Sequence, residues 1–205
     1  NLEKRFTGWV DVDLSEQGKS EAERAGILLK KKNIKIDIYY SSLQLRANKT
    51  LQIIQKILND KKNFIKAWQL NERHYGILTG LNKIETAKKL GEDKVHEFRR
   101  SWDIKPEALN IESPYHPKNI EVYKDIPSEF IPSTESLKDT YERVIKYFDN
   151  EIKEKLGNKN ILISAHGNSI RALCKYLFKL DNNQISSLEI PTGNPLIIQF
   201  DQNCN

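Results

Sequence analysis

The chain has 205 residues, which is long enough to bury a sizeable core, and a single domain over residues 1–205 is the default expectation. Its 33 basic and 28 acidic residues give a net charge of +5, but the lysines are scattered among acids, unlike the basic stripe of a nucleic-acid-binding protein. No apolar run approaches a membrane span, and the first residues show no signal-peptide core. Cys174 and Cys204 are too few for a disulfide scaffold, and Cys174, on an apolar helical face, is expected to be a buried thiol. We therefore expect a reduced cytoplasmic protein with no membrane or nucleic-acid partner.

The first part of the chain alternates predicted helices and strands. Ser15 is a plausible cap for a helix over residues 16–31, and a strand follows over 36–40. The pattern then predicts a helix over 45–58 and a strand over 65–70. This alternation indicates an α/β fold with a mostly parallel sheet flanked by helices.

The middle of the chain, residues 71–133, breaks that alternation. Short helices are predicted over 84–90 and 94–102, and five prolines punctuate the remainder. Long irregular stretches in compact domains are often functional lids. Because this stretch has too few apolar residues for its own core, we predict an insertion, or lid, over the sheet.

The last third resumes the α/β pattern. A long amphipathic helix opens at Leu137 and is predicted to stop at Gly157. An apolar strand over 161–165 then delivers His166 to the start of a helix. A short helix over 182–188 and a closing strand over 195–201 complete the prediction.

Charged side chains follow several of the predicted strands. Arg46 follows the strand 36–40, the run 72–75 follows the strand 65–70, and His166 follows the strand 161–165. Ligands of open α/β sheets bind outside the carboxyl ends of the strands, and a helix N-terminus is a ready anion site. Arginine, histidine and one glutamate suit an anionic substrate that needs a proton transferred. No metal is expected, because the four histidines lack ligand spacing.

Each of these residues also has a simpler structural interpretation when taken alone. Glu72 and Arg73 could be a surface ion pair, and His74 reads as structural. A lone histidine such as His166 is more often satisfied at a strand end than used in a site. Four further residues are assigned no site, the first two as surface histidines and the others as helical arginines: His96, His116, Arg143 and Arg171.

Seven motifs occur in one order along the chain and together resemble a known family. They are Phe6-Thr7-Gly8-Trp9, Leu70-Asn71-Glu72-Arg73-His74-Tyr75-Gly76, Gly80-Leu81-Asn82-Lys83, Arg99-Arg100, Thr134-Glu135-Ser136-Leu137, Ala165-His166-Gly167-Asn168-Ser169 and Ile190-Pro191-Thr192-Gly193. The chain resembles the cofactor-dependent phosphoglycerate mutases of the histidine phosphatase superfamily over essentially its whole length.

The resemblance implies a glycolytic and gluconeogenic isomerase that interconverts 3- and 2-phosphoglycerate through a phosphohistidine, primed by 2,3-bisphosphoglycerate. It implies that Glu72 is the general acid/base, that His166 steadies the transferring phosphoryl group and that Arg46 binds it. A homodimer or homotetramer is also implied. The resemblance places these residues against the substrate: Asn1, Thr7, Gly8, Arg46, Arg73, His74, Tyr75, Lys83, Arg99, Arg100, Gly167 and Asn168.

One element of the family pattern has no counterpart in these residues. The nucleophilic histidine of the family lies in an Arg-His-Gly segment ahead of the Thr-Gly-Trp motif, and Asn1 matches an asparagine just after it. Either further residues precede Asn1 in the natural protein, which the absence of any methionine favours, or the product is a remnant. We expect these 205 residues alone to lack mutase activity. The alternatives are a histidine-type phosphatase and a catalytically inactive remnant.

Overall fold

The computed structural model describes residues 4–201, so that Asn1 and Cys204 lie outside the described residues. Its sheet has three parallel strands, β1 (Ile38–Ser41), β2 (Ile65–Lys66) and β3 (Ile161–Ser164), in the order β2-β1-β3. Because all three strands run in one direction, their carboxyl ends meet at one edge.

Seven α-helices surround this sheet in the described part of the chain: α1 (Glu16–Lys31), α2 (Leu45–Leu58), α3 (Lys83–Leu90), α4 (Glu92–Arg100), α5 (Leu137–Tyr147), α6 (Gly167–Leu177) and α7 (Asn182–Ser187). The predicted bounds of α1 and α2 are confirmed. Ser15 caps α1 by accepting a hydrogen bond from the Gly18 N–H, as its hydroxyl predicts. None of the described helices is long and apolar enough to cross a bilayer.

The two faces of the sheet bury different side chains, because successive residues of a strand point to opposite sides. Tyr39 packs in a cluster with Leu51 of α2, beside Leu162. Tyr40 packs on the other face with Val144 of α5 and Ala172 of α6. The α/β architecture predicted from the alternating pattern is therefore confirmed, with helices on both faces.

Some apolar side chains of residues 71–133 are buried against the start of the chain. One cluster joins Leu78 and Val95 to Phe6, and a second joins Tyr123 and Ile126 to Trp9. The stretch therefore packs on Phe6 and Trp9, which suits the low apolar content noted above.

Two predicted strands were wrong: one is much shorter than expected, and one does not form among the described residues. The strand predicted over 65–70 ends at Lys66, because its partner β1 ends at Ser41, and the chain turns into a 3₁₀ helix, Trp68–Leu70. The helix predicted to stop at Gly157 is helical to Lys155, but it changes from α-helix to a π-helical turn at Phe148 and to a 3₁₀ turn at Lys153.

No strand forms over 195–201 within the described residues. Leu196 and Ile197 are 55% and 44% exposed, and no backbone hydrogen bond to the sheet is formed by this segment in residues 4–201. An apolar extended segment becomes a strand only beside a hydrogen-bonding neighbour, and the described strands do not provide one.

Candidate active site

The carboxyl ends of β1 and β3 bring together the first two candidate residues. Ser41 and Ser164 are paired in the parallel register, so the residues that follow them emerge side by side. Ser42 Oγ lies 2.8 Å from His166 Nε2, within hydrogen-bond distance, and both side chains are buried. This contact fixes the orientation of the imidazole directly before α6.

His166 is held as a neutral imidazole. Burial lowers its pKa well below the usual value, and the positive charges of Arg46 and Arg143 lower it further. Its backbone N–H donates to Ser169 Oγ at 3.0 Å, which ties the residue to the first turn of α6. The site therefore presents an uncharged ring beside a helix N-terminus that favours anions.

Arg46 stands in the first turn of α2 and is fixed by the segment that contains Thr7 and Gly8. Its guanidinium donates to the carbonyls of Gly8 at 2.8 Å and Val10 at 3.0 Å. Gly8 has φ +48°, and a Cβ there would lie 3.0 Å from the Arg73 carbonyl, so only glycine suits this close approach. The contacts bring the Thr7–Gly8 segment, Arg46 and the run after β2 together.

Glu72 points at the N-terminus of α6. Its Oε1 accepts hydrogen bonds from Asn168 Nδ2 at 2.8 Å, from the Asn168 N–H at 3.3 Å and from the Arg73 N–H at 2.7 Å. Asn168 Nδ2 also donates to the Tyr75 hydroxyl at 3.1 Å. Asn168 therefore orients Glu72 and Tyr75 together, next to Gly167.

A buried ion pair holds the loop that carries Glu72. Arg143 donates to the carbonyls of Gln69 at 2.6 Å, Asn71 at 3.0 Å and Glu72 at 3.0 Å. Its remaining donors make a bidentate pair with Glu135, at 2.6 and 3.0 Å. We call Arg143 and Glu135 the loop clamp.

The loop clamp reaches the other side of Glu72 as well. Glu135 Oε2 accepts the His74 N–H at 2.8 Å, and the Glu135 N–H donates to the His74 carbonyl at 3.0 Å. Sequence reasoning assigned Arg143 no site, which missed this contact. The available signal was its place beside buried Val144 on an amphipathic helix.

Cationic groups line the side of the site formed by residues 71–133. Arg73 is fully buried, donates to the Arg99 carbonyl at 3.0 Å and lies 4.8 Å from the centre of the Tyr75 ring. Its Nε and Nη1 are buried without a hydrogen-bond partner among the described residues. Burial and the neighbouring Arg99 lower the pKa of Lys83, while Glu72 acts in the opposite direction. Lys83 is thus part of the cluster and only partly exposed.

Two histidines are buried within the same stretch and bond to protein groups. His74 Nδ1 accepts the Gly76 N–H at 3.0 Å, and burial lowers the pKa of His74 to about 4. His116, expected on the surface, is 2% exposed; its Nε2 lies 3.0 Å from Ser133 Oγ and its Nδ1 accepts the Lys118 N–H. That prediction was wrong because His116 caps a 3₁₀ helix, Pro117–Asn119. His96 is exposed, as predicted.

The structure thus gathers the candidate residues that it describes around one edge of the sheet, with Asn1 outside the described residues. Within residues 4–201, no three His, Cys, Asp or Glu side chains form a group that could hold a metal ion. A neutral imidazole, an oriented carboxylate and several guanidinium groups suit phosphoryl transfer, which depends on positioning and charge stabilisation.

Comparison with known proteins points to the same chemistry. The model of the histidine phosphatase superfamily (branch 1) matches residues 1–119 and 112–205. A protein of Pelagibacter ubique named 2,3-bisphosphoglycerate-dependent phosphoglycerate mutase is 69% identical over all of this chain and 87% of its own length. A protein of the same name from Borrelia garinii is 51% identical over all of this chain and 84% of its own length.

Solved structures share the fold at lower identity. A mycobacterial glucosyl-3-phosphoglycerate phosphatase has a TM-score of 0.66 at 22% identity, over 92% of this chain and 80% of its own. Bacillus stearothermophilus YhfR has a TM-score of 0.67 at 20% identity, over 94% of this chain and 81% of its own.

Proposed function

The chain belongs to the histidine phosphatase superfamily, among its 2,3-bisphosphoglycerate-dependent phosphoglycerate mutases, and from this premise we propose how its own residues serve the interconversion of 3- and 2-phosphoglycerate. The observation that carries the proposal is the placement of the Glu72 carboxylate on Asn168 in the first turn of α6, the helix that neutral His166 precedes. Around them stand more cationic than anionic groups.

Glu72 takes the proton of the substrate hydroxyl that is to be phosphorylated and returns it in the reverse direction. Its three hydrogen bonds to Asn168 and Arg73 set the carboxylate orientation, and the loop clamp fixes the backbone that carries it. General acid–base catalysis depends on such placement within reach of the reacting proton.

Arg46 and His166 act on the transferring phosphoryl group. The Arg46 guanidinium supplies positive charge, and the Ser42–His166 contact holds the imidazole in place. Because the ring is neutral, it can contact phosphoryl oxygens without binding the substrate as tightly as a fixed charge would. Preorganised groups of this kind stabilise the transition state of phosphoryl transfer.

The cationic residues fit 2,3-bisphosphoglycerate, which supplies the priming phosphoryl group when bound. The fit follows from the buried Nε and Nη1 of Arg73, which have no protein partner in the described chain, and from Lys83, whose pKa is lowered by burial and by the nearby charges of Arg99 and Arg100. A polyanion relieves both. Five residues of the 71–133 stretch would hold it, together with the start of α6: Arg73, Tyr75, Lys83, Arg99 and Arg100.

We also propose a small phosphorylated three-carbon acid as substrate, a cytoplasmic location and a homo-oligomer. The buried free thiol of Cys174 supports a reducing compartment. The oligomer rests on the family resemblance, and light scattering on the purified protein tests it.

The test of the proposed roles is the Glu72→Gln variant of the natural gene product. Loss of the proton acceptor should lower the mutase rate by about 10²–10⁴-fold. The dissociation constant of 3-phosphoglycerate, measured by calorimetry, should change much less, because glutamine keeps the shape and the hydrogen bonds. Glu92→Gln, on the exposed first turn of α4, is the matched control and should change neither quantity.

A second measurement addresses the nucleophile. The polypeptide of these 205 residues is expected to bind 3-phosphoglycerate without converting it, because it holds no counterpart of the Arg-His-Gly segment. Isomerisation by a preparation with an intact mass of 23.9 kDa would contradict this expectation. Phosphate release without isomerisation by the natural gene product would replace the mutase proposal with a phosphatase.

A further inference from the structure

Arg100, one of the proposed substrate-binding arginines, is bound to a carboxylate of the chain itself. Its Nη2 donates to Glu189 Oε1 at 2.6 Å, and Glu189 is its one direct hydrogen-bond partner among the described residues. We propose, on the basis of the proposed function, that Glu189 is an internal competitor: its carboxylate occupies Arg100 until an anionic group of the substrate displaces it.

The charges around Arg100 support an exchange of anions. Burial, together with the charges of Arg100 and Arg73, lowers the pKa of Arg171 to about 10, and Glu189 acts in the opposite direction. Arg100 also lowers the pKa of Lys83. Glu189 is thus the acidic counter-charge at one end of a cationic cluster that is otherwise in excess.

The geometry allows the carboxylate to leave without moving the backbone. The segment that carries Glu189 is anchored on both sides. On one side Arg171 donates to the carbonyls of Ile185 and Ser186, at the end of α7. On the other, Arg24 donates to the carbonyls of Thr192 at 2.6 Å and Gly193 at 3.2 Å.

The side chain itself lies in solvent. Glu189 is 72% exposed, whereas Arg100 is 20% exposed. Rotation of one side chain into water is therefore sufficient to free the guanidinium. Ion pairs with such an exposed partner contribute little to stability, so a substrate phosphate or carboxylate can replace the Glu189 carboxylate on Arg100.

The proposal predicts that removal of the competitor tightens binding. Glu189→Gln should lower the dissociation constant of 3-phosphoglycerate by about two- to five-fold, the range that an exposed pair allows. Calorimetric titration at low salt measures this change. It should shrink as the salt concentration rises, because exposed charges are screened.

Two controls separate displacement from a change in net charge. Glu121→Gln removes one charge from an exposed pair with Lys124, and it should leave the dissociation constant unchanged. Arg100→Gln should weaken binding, and in that background Glu189→Gln should have no further effect, because the competed group is gone.

Titration with ligands that carry either a phosphate or a carboxylate shows which of these groups binds Arg100. If Glu189→Gln tightens glycerol 3-phosphate, the phosphate displaces Glu189; if it tightens only carboxylate-bearing ligands, the carboxylate does, and both results support displacement. Weaker binding of 3-phosphoglycerate to Glu189→Gln would show that Glu189 orients Arg100, and the proposal would be wrong. Equal binding would also overturn it. If the unmodified protein does not bind 3-phosphoglycerate at all, the proposed function itself fails.

Discussion

The loop clamp and the Arg100–Glu189 pair join the same two side-chain types, each with a 2.6 Å contact, in opposite surroundings. In the clamp the side chains are 9% and 5% exposed, whereas in the second pair Glu189 is 72% exposed. The Arg143 guanidinium donates five hydrogen bonds, to three backbone carbonyls and to the Glu135 carboxylate. The Arg100 guanidinium donates one, to Glu189, among the described residues. A buried arginine–glutamate pair therefore fixes a loop, whereas in an exposed pair the glutamate can be replaced by another anion.

The largest expected effect comes from breaking the buried pair. Arg143→Met should lower the free energy of unfolding by about 3–5 kcal/mol, because it leaves Glu135 as an uncompensated buried charge. It also leaves the carbonyls of Gln69, Asn71 and Glu72 without their donor. Urea denaturation monitored by circular dichroism measures the loss.

Arg100→Met is the matched control for that experiment. Its partner can turn into water, so the unfolding free energy should change by less than about 1 kcal/mol. Equal losses in the two variants would mean that burial does not separate the two pairs.

A smaller change in the free energy of unfolding is expected when the pH is lowered, because His74 is buried. Burial lowers the pKa of His74 from 6.5 to about 4, so between these values the unfolded chain binds a proton that the folded chain excludes. Stability should therefore fall as pH falls through this window, by about 2 kcal/mol between pH 7 and pH 5 for this residue. Neutral His166 contributes in the same direction.

His74→Asn isolates the contribution of His74, because asparagine retains an acceptor near the Gly76 N–H. The variant should lose less stability between pH 7 and pH 5 than the unmodified protein, by about the same 2 kcal/mol. Parallel pH profiles of the two proteins would assign the acid sensitivity to other groups.

The smallest effect on stability is expected from the exposed Arg100–Glu189 pair. Glu189→Gln should change the unfolding free energy by no more than about 0.5 kcal/mol, since an exposed substitution of similar size removes no buried contact. A loss above about 2 kcal/mol would indicate that the pair holds α4 to α7, and would remove the basis for treating it as exchangeable.

The elements that sequence predicted best are those with local signals. Ser15 caps the start of α1, and Asn59, in the left-handed region, caps the end of α2. Nearby residues therefore indicate where these two helices begin or end. The length of β2 could not, because it depends on where β1 stops, and the segment 195–201 has the composition of a strand without a hydrogen-bonding neighbour in the described chain.

The candidate site divides in the same way. Glu72, His166 and Arg46 could be predicted as site residues because strand ends and family motifs mark them, and their roles stay predictions. The clamp was missed because Arg143 lies 71 residues from Glu72 in the sequence and Glu135 lies 61 from His74, and no local pattern records such contacts. The competitor Glu189 likewise lies 89 residues from Arg100.

Gly167 lowers the stability of the protein at a position where alanine would also fit. It is the first residue of α6, its φ is not in the left-handed region, and the nearest atom to an added Cβ would be Glu72 Oε2 at 3.9 Å. Alanine would therefore fit this structure and would stabilise the protein by about 0.4–1 kcal/mol through the unfolded chain. A methyl group there would lie 3.9 Å from Glu72 Oε2, close to the place where we propose that the substrate phosphate binds. Stability alone would favour alanine at this position, so the glycine fits the substrate contact proposed for the start of α6.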